Sequence, residues 1–134
     1  MSVFEYNFEQ YKSLSPDLYR KEKYNLQVEL LKLQEDVIKK KRKIAICFEG
    51  RDTAGKSSTI NFFSEHLIPS NFNYVHLGIP TKKERKNWFE RYETYLPNKG
   101  QIVLFDRSWY TRALTEPTLG YCSKKQYELS LIHI

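Results

Sequence analysis

"IAICFEGRDTAGKSSTINFF", residues 44–63, changes character twice. Its opening "IAICFE" is short, apolar and β-branched, the pattern of a strand buried on both faces, and it stops at Gly50. From Ala54 the run "AGKSSTINFFSEHLI" reads as a helix that ends at the Pro69-Ser70-Asn71 punctuation. Between them "GRDTAGKS", Gly50 to Ser57, satisfies GxxxxGK[ST] in the strand-to-helix setting that gives the pattern its meaning. Amides of such a loop and of the first helical turn converge on phosphate oxygens. Gly50, Arg51, Thr53, Ala54, Gly55, Lys56, Ser57 and Ser58 are therefore expected to bind phosphate or nucleotide, with Lys56 reaching across the phosphates and the Ser57 hydroxyl facing magnesium. A Gly-rich turn with a capping serine is the plainer alternative. Asp52 stands out, because a carboxylate inside a phosphate loop either compensates a bound cation or makes a local turn bond.

Working outward, "NYVHLGIP" (73–80) is a second strand and "KKERKNWFERYETYL" (82–96) a second helix stopped by "PNKG". "QIVLFD" (101–106) is a third strand, and "RSWYTRALTE" (107–116) turns helical until Pro117. Upstream, Ser15-Pro16-Asp17 signals a helix start. Tyr19, Lys23, Leu26, Leu30, Leu33 and Val37 then form one stripe of a long amphipathic helix, whose end "KKKRK" (Lys39 to Lys43) is expected to be solvated. Alternating strands and helices imply an α/β doubly wound fold, three layers deep, around a parallel sheet. Three strands make a thin parallel sheet, so further strands are expected beyond those present.

The chain has 134 residues, the length of one domain. Charged residues at 28%, hydrophobic at 40% and aromatic at 15% describe an ordered protein. Lys and Arg number 22 against 16 Asp and Glu, and the net charge of +6 favours a polyanionic partner. Cys47 and Cys122 are far apart with no metal-binding spacing, which suits reduced packing residues. "MSVFEYNFEQYKSLSP" lacks the apolar core of a signal peptide and no run of ~18 apolar residues occurs, so a cytoplasmic address is expected by default.

Asp106 ends the third strand, where ligands gather in open parallel sheets, and such an aspartate holds Mg²⁺ in phosphoryl transfer; its plainer role is a helix cap. Arg107 and Arg112 are candidates to neutralise charge on a transferred group. Lys82, Lys83, Arg85, Lys86 and Arg91 make the second helix basic, while its Trp88, Phe89 and Tyr92 read as core.

The strings "FEGRDTAGKSSTI", "PTKKERKNWFERYETYLP" and "GQIVLFDRSWYTRALTEPTLGYC" together resemble the polyphosphate kinase 2 family, from about Ile44 to about Cys122. The resemblance implies a P-loop kinase fold and Mg-dependent phosphoryl transfer between inorganic polyphosphate and a nucleoside mono- or diphosphate, run in reverse from a nucleoside triphosphate. On the matching positions Asp52 and Asp106 would organise metal and phosphate, Lys56 would bridge the phosphates, and Arg107 and Arg112 would bind the polyanion or the transferring group. Lys82, Lys83, Arg85 and Arg91 would help line a polyphosphate path. The chain departs from the family pattern at "GKSS", at Thr111 and at Leu114.

The expected organisation is one domain over 1–134, apparently truncated: a helical segment (1–43), a phosphate-binding core (44–122) and a divergent tail (123–134), with the C-terminal lid and last strands absent. A homo-oligomer is expected, without nucleic-acid or membrane partners. Two other readings stay open: an ATP-dependent nucleoside or nucleotide kinase, and a catalytically incomplete phosphate-binding fragment.

Overall fold

The structure is a computed structural model that describes residues 14–132; the reading of residues 1–13 and the last two residues of the tail lie outside it. Helix α1 (Pro16–Lys39) begins where Ser15 accepts the Leu18 amide and Pro16 occupies the first turn. Strand β1 (Lys43–Phe48), helix α2 (Lys56–Ser64), a 3-10 turn (Pro69–Asn71) and strand β2 (Phe72–Val75) follow. Next come the short helices α3 (Lys82–Lys86) and α4 (Glu90–Glu93), strand β3 (Gln101–Asp106), and helices α5 (Thr111–Thr118) and α6 (Lys124–Leu131).

The sheet is parallel in the order β1-β3-β2, with Ile44 opposite Ile102, Phe48 opposite Asp106 and Tyr74 opposite Leu104. β3, at the centre, is buried along most of its length. On one face Val37, Ile60, Ile102 and Leu104 form a core. On the other Val75, Trp88, Tyr92, Val103 and Phe105 do so, and Tyr92, Phe105 and Trp109 meet edge to face. The expected core role of Trp88 and Tyr92 follows from this packing.

Six expectations change. The helix expected from Ala54 to the Pro69 punctuation spans only Lys56–Ser64. β1 forms an outer strand among the described residues, so Ile44 and Ile46 are half-buried and Ala45 is exposed, whereas burial on both faces was expected. The strand expected over 73–80 ends at Val75. The helix expected over 82–96 breaks at Asn87, whose φ of −108° and ψ of 63° lie outside the helical region. α5 continues through Pro117 and ends one residue later, at Thr118. There Gly120 at φ 70° lets Tyr121 donate to the Glu116 carbonyl and Gly120 to that of Pro117, a closed helix end.

The last change concerns α1. Hydropathy places Tyr19, Leu26 and Leu33 on its inner stripe, yet they are 50%, 64% and 40% exposed. The buried stripe contains Gln27, Gln34 and Val37. Gln34 is fully buried and bonds both polar groups of Ile68, accepting from its amide at 2.6 Å and donating to its carbonyl at 3.0 Å. Gln27 donates to Glu65 at 2.7 Å. These bonds satisfy backbone and carboxylate groups in the α1–α2 junction and turn the helix away from its apolar stripe. Of "KKKRK", Lys39 ends the helix, Lys41 at φ 52° turns the chain and Lys43 opens β1; all five residues are exposed.

Candidate functional site

β1 and β3 end side by side, so the loop after β1 and the turn after β3 leave the same edge of the sheet. Gly50, at φ 152°, closes tightly: a Cβ there would lie 3.3 Å from that of Ala54. Gly55, at φ 83°, supplies the left-handed cap of α2. The Lys56 ammonium donates to the carbonyls of Gly50 at 3.2 Å and Arg51 at 3.0 Å, which holds it along the loop. Residues 52–58 with His76, Asp106 and Arg107 line a cavity of about 360 Å³ over the α2 N-terminus. Gly50 and Arg51, also expected to bind phosphate, are not among its lining residues; their carbonyls accept from Lys56.

Asp106 is 4% exposed. Its Oδ2 accepts from Ser57 Oγ at 3.1 Å and from the Tyr74 hydroxyl at 3.2 Å, and His76 Nδ1 lies 3.6 Å away. Its Oδ1 is buried without a hydrogen-bond partner. A buried carboxylate oxygen so placed is unfavourable unless a cation or donor meets it. Among the described residues no group of three or more His, Cys, Asp or Glu side chains is placed to hold a metal ion. A hard divalent cation would therefore take one carboxylate and one hydroxyl from the protein and its other oxygens from phosphate and water, the manner of Mg²⁺. The residues present fit such an ion.

Asp52 is placed differently. Its side chain is 93% exposed and accepts from Arg107 Nη2 at 2.6 Å. Arg107 holds φ at 65°, and its amide donates to the Phe48 carbonyl at 3.0 Å. A left-handed arginine fixed this way is a strained conformation of the kind found at functional sites. Asp52 and Asp106 border the same cavity, and Arg107 is the partner the structure gives Asp52.

A second cavity, of about 500 Å³, adjoins the first. Leu77, Ile79, Pro80, Trp88, Tyr92 and Leu119 give it apolar walls, and Arg85, Arg91 and Glu116 add charge. Asp52, His76, Asp106 and Arg107 border both cavities. Arg91 is 8% exposed and donates to the carbonyls of Leu77 at 3.0 Å and Gly78 at 3.2 Å, so it props the wall. Lys82 and Lys83 are exposed on α3 and border neither cavity.

Arg112 also lies outside both cavities, against the expectation that it binds the polyanion. It is 3% exposed, bonds Glu116 at 3.1 Å and the Arg85 carbonyl at 2.9 Å, and stacks 3.9 Å from the Trp88 ring centroid. Its charge is consumed in joining α5 to α3. Glu49, Tyr74 and His76 went unread in the sequence. Glu49 Oε1 accepts from the Ser108 amide and hydroxyl, both at 2.7 Å, and Thr111 donates to Oε2 at 2.9 Å. Tyr74 and His76 had one signal: they sit at and just past the C-terminal end of β2, at the edge of the sheet from which the loop after β1 leaves.

A family model described as Polyphosphate kinase 2 matches residues 13–134, a wider span than the resemblance covered. A GDP-polyphosphate phosphotransferase of Mycolicibacterium smegmatis is 50% identical over 110 residues, which are 81% of this chain and 39% of that protein. An ADP-polyphosphate phosphotransferase of Pseudomonas aeruginosa is 45% identical over 116 residues, 86% of this chain and 38% of that one. A crystal structure of a polyphosphate kinase 2 from P. aeruginosa superposes with a TM-score of 0.80 at 28% identity, covering 95% of this chain and 28% of its own. That of Arthrobacter aurescens gives 0.78 at 20% identity, over 90% and 45%, and shares the fold. The chain thus spans about two fifths of the length of the two curated relatives named here. With its parallel α/β sheet and the glycine-bearing loop between β1 and α2, the chain belongs to the polyphosphate kinase 2 family.

Proposed function

We propose that the chain carries the transfer centre of a polyphosphate:nucleotide phosphotransferase, which moves a terminal phosphoryl group between inorganic polyphosphate and a nucleoside mono- or diphosphate with Mg²⁺. One observation carries this reading: a polar loop cavity and a larger, partly apolar cavity meet at Asp52, His76, Asp106 and Arg107. A phosphoryl group passing between two bound substrates must cross such a junction. The loop amides and Lys56 hold the phosphate chain; Trp88, Tyr92 and Leu77 offer the nucleoside an apolar seat, and Arg85 faces its phosphates. Arg107, steadied by Asp52, presents donors to the group in transit. Asp106 Oδ1 and Ser57 Oγ would hold Mg²⁺, which when bound neutralises charge on the phosphate oxygens.

The net charge of +6 supports a polyanionic substrate, as do the names of the relatives. The free thiols Cys47 and Cys122 suit a reducing, cytoplasmic setting, and no described helix is long and apolar enough to cross a membrane. The exposed apolar side of α1 supports self-association. Phosphorus NMR of polyphosphate with ADP or GDP, with and without Mg²⁺, tests the reaction. A Mg²⁺-dependent nucleoside triphosphate signal is expected. Turnover of ATP with a nucleoside, and none with polyphosphate, would replace the reading by a nucleoside kinase.

A further inference from the structure

The two oxygens of Asp106 are in different circumstances. Oδ2 receives Ser57 Oγ at 3.1 Å from α2 and the Tyr74 hydroxyl at 3.2 Å from β2, with His76 Nδ1 3.6 Å away; Oδ1 receives none and is buried. Tyr74 lies opposite Leu104, so it projects from the face of the sheet that Leu104 and Asp106 share. Its ring is 47% exposed, which gives little packing reason for a tyrosine at this place. Its polar atom nevertheless points inward to the carboxylate.

Two donors arriving from two elements fix a carboxylate plane more firmly than one. With Ser57 alone the group can turn about χ2 and exchange its oxygens. We propose that Tyr74 is a positioning residue that, with Ser57, holds Oδ2 of Asp106 and so presents Oδ1 to a divalent cation. This rests on the reading of Asp106 as the cation ligand. Tyr74 acts through Asp106, as partners that orient a metal-binding carboxylate do.

The test is titration of the full chain with Mn²⁺ alone, free ion being read by electron paramagnetic resonance, beside urea unfolding without metal. Tyr74→Phe is expected to weaken binding on the order of tenfold and to leave the urea midpoint unchanged. Asp106→Asn is expected to abolish the site. If Asp106→Asn loses the ion while Tyr74→Phe binds it like the wild type, the proposal fails and the reading of Asp106 stands. If Asp106→Asn binds like the wild type, that reading fails and the proposal with it. Should Tyr74→Phe also unfold earlier, 4-aminophenylalanine at this position restores a donor of the same reach. Recovered affinity supports the positioning role, and affinity left at the Phe level overturns it.

Discussion

Asp52, in the loop after β1, and Asp106, at the end of the neighbouring β3, are carboxylates around one cavity, and they differ in almost every physical respect. Asp106 is held by donors from two other elements and is 4% exposed. The Asp52 side chain is 93% exposed and, among the described residues, tied to Arg107. Burial removes alternative positions for a charge and makes its orientation worth more, while exposure leaves it mobile and screened. The buried residue should dominate the chemistry and the exposed one should tune it.

The largest expected effect is therefore Asp106→Asn, a fall in kcat on the order of a thousandfold at saturating Mg²⁺, measured by nucleoside triphosphate formation. Wild-type kcat in this variant would break the comparison at its stronger end. Lys56→Ala comes next, weakening polyphosphate binding on the order of a hundredfold in calorimetry through loss of charge-assisted bonds. Asp52→Asn keeps an acceptor for Arg107 and should lower turnover only about tenfold or less. A loss equal to that of Asp106→Asn would erase the distinction.

An effect on stability extends the contrast to phenols. Burial, as the largest cause, pushes Tyr92 up to about 12 from an ordinary value of 10.0. The folded state then holds this proton more tightly than the unfolded chain does. The associated stability, about 3 kcal/mol as an order of magnitude, is fully present below pH ~10 and is lost as pH rises toward ~12. Urea midpoints should fall over that window in the wild type and fall less in Tyr92→Phe.

What the sequence made legible follows from how local each feature is. The strand, loop and helix around Gly50–Ser57 are specified by adjacent residues, and so is β3, observed over the residues expected. Tyr74 and His76 needed the strand order, because only β2 lying directly beside β3 brings them to Asp106. Arg112 looked catalytic beside Arg107, and its fate was decided by Trp88 and Glu116, one of them distant in the chain. The orientation of α1 escaped hydropathy because Gln34, a polar residue, outcompeted Leu33 for the interior by bonding the chain at Ile68.

Glu49 gives the site a mechanical property. Its carboxylate grips the Ser108 amide across 59 residues of sequence, at the point where the loop after β1 begins and the turn after β3 leaves. The two rims of the cavity are thereby yoked, and a displacement of the loop is felt at once by Ser108 and Thr111. The exchange rate of that one amide becomes a gauge of loop motion: slow while the yoke holds, and quickened whenever the loop lifts.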